Sequence, residues 1–315
     1  MRSPFIAVDY RGGVQIQQLA YFVAVARTRH FTRAAELTGV SQPSLSKQIR
    51  VLENSLGTPL FVRNRGAIEL TSAGEALLPH AQRILIDTES AERTVHEVAT
   101  LRRGRVRMGA TPSLCEGLLP EALKEFHASY PDIELEVQEA GSRVLTRELA
   151  DGRLDVALLI VPLHNADPDI QTTPILHERL VLASPADADL PDRMEIRDLE
   201  DLPLVMFREG YDLREVTLGA CADAGFEPKL SVEGGEMSAV LRFVQAGLGH
   251  AVVPSMVLTT RPHLKATQLD SPSLERVIAL AHRSTEALPL AARAFKSELL
   301  KHLKTMVSDD LGLVP

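Results

Sequence analysis

Between Ser41 and Asn54 the chain spaces hydroxyl, amide and cationic side chains so that one helix would carry them together. Pro43, Ser46, Lys47, Arg50 and Asn54 fall on one face, with Gln42 and Ser44 beside the helix start. Such a set can meet phosphates and base edges when a helix enters the major groove. The plainer reading is a solvated surface helix. Leu45, Ile49, Leu52 and Leu56 recur at i, i+4, i+7 and i+11, which predicts a buried face opposite the polar one. Upstream, Ala34, Ala35 and Leu37 give a short helix a small apolar face, Gly39 and Val40 make a corner, and Ser41 is a candidate N-cap with Pro43 in the following turn. Two short helices meeting at a glycine corner, the second with free polar groups, are a helix-turn-helix.

Leu60 and Phe61 lead into Arg63-Asn64-Arg65-Gly66 and then Ile68-Glu69-Leu70-Thr71, a short basic hairpin of the kind called a wing. With that hairpin in place the chain resembles the LysR-type transcriptional regulators. Their DNA-binding domain carries Phe-Thr-x-Ala-Ala, Ser-Gln-Pro-Ser/Ala-Leu-Ser, Leu-Glu-x-x-Leu-Gly-x-x-Leu-Phe and Leu-Thr-x-Ala-Gly in this order. Here they stand at Phe31 to Ala35, Ser41 to Ser46, Leu52 to Phe61 and Leu70 to Gly74. The resemblance implies DNA contacts from Thr32, Ser41, Gln42, Pro43, Ser44, Ser46, Lys47 and Arg50, and from the wing residues Arg63 and Arg65. The second wing arginine follows the first by two residues where the family often has three.

A net charge of -8 suits a nucleic-acid-binding protein only when divided along the chain. From Ile16 to Thr71 seven basic residues stand against three acidic ones, a local +4, and the remainder is acidic. Phosphate neutralisation needs a local basic surface rather than a basic total, so a nucleic-acid partner belongs at the N-terminal end. The two cysteines, Cys115 and Cys221, give no disulfide framework and read as small buried hydrophobes. A peroxide-sensing subgroup of the resembled family places its reactive cysteine in Gly-His-Cys-Leu-Arg. Here Gly210-Tyr211-Asp212-Leu213-Arg214 stands there, so sensing by that route is not expected. The longest apolar run, Val156 to Leu163, is too short to span a bilayer, and residues 1–15 lack a signal-peptide core. A cytoplasmic protein is expected.

The organisation follows from the periodicities. Residues 1–15 read as an extension, with Val14 where the family's proteins start. Residues 16–73 read as the winged helix-turn-helix, opened by a helix from Gln17 to Thr28. Residues 74–102 read as a linker helix, because Leu77, Ala81, Ile84, Thr88, Ala91, Val95 and Val98 alternate steps of four and three, the seam of a dimer. Packing on its own domain is the alternative. From residue 103 short strands alternate with helices, including a helix from Leu114 to His127 and a short strand from Leu180 to Ala183. This predicts an α/β domain with a mostly parallel sheet. The resemblance implies two periplasmic-binding-protein-like lobes, 103–175 with 271–315 and 176–270, crossed near Pro174 to Leu176 and near Leu269 to Ser271.

Ligands of open α/β sheets bind beyond the carboxyl ends of strands, at helix N-termini. Candidate effector contacts are Thr111, Pro112 and Ser113, then Gly141 and Ser142, and, from the second lobe, Phe207, Arg208, Tyr211 and Met237. Helix N-termini with Arg208 favour a small anion such as a carboxylate, although Arg208 can pair with Glu209 or Glu236 instead. His250 follows Gly247-Leu248-Gly249 where the family usually has an aliphatic residue, and reads as a core or boundary histidine. No residue cluster has metal-ligand spacing, and no cofactor or catalysis is expected. The function these features predict is a DNA-binding regulator of promoters whose C-terminal domain takes a small effector. The resemblance implies a homodimer or homotetramer acting with RNA polymerase. A solute-binding protein and, last, an enzyme are the competing readings.

Overall fold

The structure, a computed structural model, describes residues 13–64, 67–99, 104–163, 167–270, 274–284, 288–306 and 311–313. It forms two units, residues 1–93 and 94–315.

In the first unit α1 (Ile16–Thr28), α2 (Phe31–Leu37) and α3 (Gln42–Leu56) are followed by a hairpin of β1 (Phe61–Asn64) and β2 (Ala67–Leu70), and then by the long α4 (Ser72–Ala99). Gly39, at φ 68°, takes the left-handed corner between α2 and α3, a conformation open to glycine at little cost. Leu19, Phe22, Val25, Phe31, Ala34, Leu45, Ile49 and Leu52 are buried together. Leu37 and Leu56, expected on the same apolar faces, are 64% and 39% exposed. Each is the last residue of its helix, where the chain has already turned away from the core.

The hairpin pairs antiparallel with Phe61 opposite Leu70, and the Phe61 ring sits 5.3 Å from Phe22 and 6.0 Å from Phe31. Glu53 Oε1 accepts the Leu60 and Phe61 backbone N–H groups at 2.9 and 3.4 Å, tying the recognition helix to the hairpin. Thr71 donates its hydroxyl to the Pro59 carbonyl at 2.8 Å and accepts from Gly74 N–H at 3.0 Å. A Cβ on Gly74 would stand 2.3 Å from the Leu60 carbonyl oxygen. The Leu70 to Gly74 run is thus a tight splice, in which only glycine lets α4 lie against the hairpin. Along α4, Ala81 is fully buried in the unit's own core, with Leu77, Leu78 and Leu85 packed beside it. The first turns of the expected seam therefore serve their own domain, because the three-helix core is too small to close without them. Ile84 is 43% exposed and remains available to a partner helix. The side chains of Val95 and Val98 lie outside the described residues.

The second unit runs β3 (Arg105–Ala110), α5 (Pro112–Gly117), α6 (Leu119–Ser129), β4 (Glu134–Glu139), α7 (Ser142–Ala150), β5 (Val156–Val161), β6 (Ile170–Pro185), β7 (Arg193–Glu195), β8 (Pro203–Phe207), α8 (Asp212–Asp223), β9 (Lys229–Gly235), α9 (Met237–Gln245), β10 (Ala251–Pro254), β11 (Leu264–Asp270), β12 (Glu275–Arg283), α10 (Leu290–Thr305) and β13 (Leu311–Leu313). The main sheet has the order β4-β3-β5-β12-β6-β11-β7, with β10 and β13 also on β6, and β8 pairs with β9 in a second, parallel ribbon.

The sheet is mixed rather than mostly parallel: β3 lies parallel to β4 and β5, but β12 is antiparallel to both β5 and β6. The chain leaves the first lobe along β6 and returns along β12, and an outgoing and a returning strand that lie side by side must oppose. The short strand expected at Leu180 to Ala183 is the second half of the 16-residue β6. Its first half pairs with β12 from Ile170 to Arg179, and its second half with β10 and β11 from Leu180 to Pro185. The change of partner between Arg179 and Leu180 comes after the crossing expected near 174–176. Residues 271–273, at the expected return, lie outside the described residues. The helix expected from Leu114 to His127 is broken at Leu118, since Pro120 in the first turn of α6 has no N–H to continue α5.

Candidate DNA interface and effector cavity

On α3 the polar residues stand clear of the core. Ser41, Gln42, Pro43, Ser44, Lys47 and Arg50 are exposed and Ser46 is half-buried, while Leu45 and Ile49 between them are buried. Ser41 caps the helix by position, from an extended backbone, but its hydroxyl makes no cap bond. Gln42 donates its side-chain amide to the Ser46 hydroxyl at 3.0 Å. Thr32, exposed at the start of α2, gives its backbone N–H to His30 Nδ1 at 3.2 Å. Arg63 lies on β1, and Arg65 lies outside the described residues. Gln18, buried on α1, reaches Gln48 on α3 at 3.2 Å and adds a second cross-link to the recognition helix.

In the C-terminal unit a cavity of about 420 Å³ opens beyond the carboxyl ends of β3, β4 and β8. Thr111, Pro112, Ser113, Gly141, Arg208 and Tyr211 line it, as expected. Ser142, Phe207 and Met237 do not line it. Ser142 is buried and its Oγ accepts the Ile160 N–H at 3.2 Å. Met237 is 1% exposed, as is Phe207, whose ring stacks on Tyr211 at 4.6 Å with planes 7° apart, so Phe207 backs the cavity wall that Tyr211 faces. The Arg208 guanidinium lies 5.8 Å above the Tyr211 ring, donates to the Glu209 carbonyl and pairs with Glu236. Burial, reinforced by nearby Glu236, holds the Tyr211 hydroxyl well above its ordinary range.

Arg276, in this wall, and Glu178 behind it form a network that the sequence did not point to. Glu178 has no exposed side-chain surface. Arg276 Nη2 and Nε meet its Oε2 at 2.6 and 2.8 Å, and Met256 N–H donates to its Oε1 at 2.9 Å. The same arginine donates to Ser113 Oγ at 2.8 Å. Ser113 is therefore held by a cation from β12 rather than free to receive a ligand. A charged residue opening a strand carries no local signal of such a role. Glu139, Asp212, Glu236 and Glu275 also line the cavity. His250 lies away from it. Its Nδ1 is 2.8 Å from the buried Ser184 hydroxyl, and burial lowers the imidazole pKa. No cluster able to hold a metal ion occurs among the described residues.

The family model of the bacterial regulatory helix-turn-helix proteins of the lysR family matches residues 16–75, and that of the LysR substrate binding domain matches residues 99–304. The chain belongs to the LysR family. It is a transcriptional regulator of that family, with a DNA-binding helix-turn-helix joined to an effector-binding domain. A probable hydrogen peroxide-inducible genes activator of Streptomyces viridosporus is 34% identical over 90% of this chain and 91% of its own length. Among solved structures, a cysteine-to-aspartate variant of full-length OxyR from Pseudomonas aeruginosa is 26% identical with a TM-score of 0.69, covering 91% of this chain and 95% of that one. Full-length CbnR in complex with its target DNA is 26% identical with a TM-score of 0.66, covering 92% and 100%. For this LysR-family chain, no helix among the described residues is long and apolar enough to cross a membrane.

Proposed function

We propose that this LysR-family regulator reads double-stranded promoter DNA with Gln42, Ser44, Lys47 and Arg50, steadied on phosphates by Thr32, Ser41 and the wing arginines Arg63 and Arg65. The observation that carries this reading is the free polar face of α3 on a buried Leu45-Ile49-Leu52 seam. CbnR, a structural neighbour, is solved with its target DNA. Promoter DNA and RNA polymerase put the site of action in the cytoplasm. The exposed Ile84 on α4 is the contact through which we infer a homodimer. A binding titration on promoter DNA at several salt concentrations tests the α3 assignment. Unchanged affinity and salt slope in both Lys47→Ala and Arg50→Ala would remove it.

The cavity is the effector site of this reading, with Thr111 and Tyr211 in its wall. A ligand there changes DNA binding only through a difference in affinity between two states of the regulator. We read the cavity as regulatory rather than catalytic because its cations are already paired: Arg208 with Glu236, and Arg276 with Glu178 and Ser113. A Ser113 hydroxyl that accepts from arginine has no base beside it to activate it. Peroxide, named for one relative, is not the signal we infer. Burial pushes the Cys115 thiol up to about 12 and the Cys221 thiol up to about 11, and a protonated thiol is a poor nucleophile.

A further inference from the structure

Both cations of the cavity wall are committed. Arg276 is spent on Glu178 and Ser113, and Arg208 on Glu236 and the Glu209 carbonyl. Of the wall's carboxylates Glu236 is paired with Arg208, but among the described residues the Glu139 side chain makes no hydrogen bond or ion pair, and Glu275 has only Arg179 at 3.6 Å. The helix N-termini give an anion little more. α8 carries Asp212 and Glu215 in its own first turn, and Glu236 is the N-cap of α9, so the partial positive charge of each end already has a carboxylate beside it. α7 has none of its own, but Glu139 lies three residues before it. Burial, with Glu116 and Glu236 nearby, raises the Glu139 pKa, as expected of a carboxylate that lacks a cation.

A second, independent feature also calls for a ligand. Thr111 lines the same cavity, is 5% exposed, and its Oγ1 has no hydrogen-bond partner. Buried hydroxyls are normally bonded, and an unbonded one in a cavity wall is a place for a ligand's polar atom. The apolar part of the wall is formed by Pro112, Val144, Ile160, Leu180, Leu213 and Val216.

We propose that the effector is an apolar molecule bearing an ammonium group, its cation against the Glu139 carboxylate and a second polar atom on Thr111 Oγ1. The anion expected from the helix N-termini would have to break an arginine–glutamate pair or sit beside an unpaired carboxylate. The inference deepens the reading of this cavity as the effector site and rests on it.

Three probes of nearly equal shape test it on the full-length chain by calorimetry and thermal shift: 2-phenylethylammonium, phenylacetate and 2-phenylethanol. The ammonium should bind about tenfold more tightly than phenylacetate, the order expected when one partly exposed ion pair replaces a like-charge contact. Glu139→Gln should erase that preference and Glu139→Lys reverse it. A fourth probe, 2-amino-1-phenylethanol, adds the second polar atom; Thr111→Val should weaken it and leave 2-phenylethylammonium unchanged. Glu139 is exposed and unpaired, so its variants should fold, and an unchanged melting temperature without ligand checks this. If phenylacetate binds better than the ammonium and Thr111→Val weakens it, the charge assignment is overturned while the effector site stands. If no probe binds, or binding ignores both positions, the site and the proposal fall together.

Discussion

On α3 the exposed polar side chains project from a helix, and Gln42 bonds to Ser46, four residues on. In the cavity of the C-terminal unit the arginines bond across the chain, Arg276 reaching back 98 residues to Glu178 and 163 to Ser113. The first arrangement leaves its groups solvated and uncommitted, ready to exchange water for phosphate or base. The second fixes its groups before any ligand arrives. Substitution on α3 should thus change what the protein binds while sparing its fold, and substitution in the Glu178 network should change the fold first.

The sharpest break in that contrast comes from Glu178→Ala. It leaves a buried guanidinium without its carboxylate, which costs about 3–5 kcal/mol. Urea unfolding should show the loss in the C-terminal unit alone. A loss no larger than that of a surface pair, about 1 kcal/mol, would mean that water reaches the network and that the contrast is overstated. Next in size are Lys47→Ala and Arg50→Ala. Each should cost about 1–3 kcal/mol at one base pair, or lower the salt slope by about one if the contact is to phosphate. Their unfolding free energies should stay within about 0.5 kcal/mol of the parent. Anisotropy titrations and urea melts on the same samples separate the two effects.

Glu53 lies between the two kinds of residue, since it sits on α3 but accepts the Leu60 and Phe61 N–H groups. Glu53→Ala should destabilise the first unit by about 1–3 kcal/mol, the cost of unmade hydrogen bonds. DNA affinity should fall only through the misplaced wing. A variant that melts like the parent would show that the hairpin holds its place without that carboxylate. The smallest effect belongs to His250. Burial makes the folded imidazole hold its proton less tightly than the unfolded chain does. As pH falls through the ordinary value of 6.5 the unfolded state takes up the extra proton, and stability falls with it. Stability in the C-terminal unit should therefore be complete above that pH and decline below it. His250→Gln should flatten the decline, as read from unfolding across the pH range.

The same contrast explains which parts could be read from the sequence. Leu45, Ile49 and Leu52 set the face of α3 through a helical repeat, so the position of Lys47 and Arg50 follows from counting residues. The place of Thr111 and Ser113 in the cavity wall was legible for a similar reason, because they open a helix directly after a strand, but the tie of Ser113 to Arg276 was not. Glu178 and Arg276 carry no such pattern, since each looks like one charged residue at the rim of an apolar strand, and only the pairing of β6 with β12 brings them together. Phe207 and Met237 misled in the opposite direction. They lie next to cavity residues in sequence, yet β8 is buried on both faces from Leu204 to Phe207 and Met237 belongs to the buried face of α9, at 1% exposure each for Phe207 and Met237. The seam of α4 was half legible. Its repeat is genuine, but a repeat does not say whose core it fills, and Ala81 fills its own.

Strand β6 has one further consequence. Ile175 is an extra residue of β6 opposite the Ile278–Ala279 step, and beyond that bulge the strand runs from Leu176 to Arg179 straight into the Leu180–Pro185 ladder. Inserting or deleting one residue between Leu176 and Arg179 would shift one ladder against the other and turn one lobe's buried set to the wrong face. Gains and losses of length in this protein should therefore accumulate in its connecting loops, while those sixteen residues are inherited as a block of fixed length.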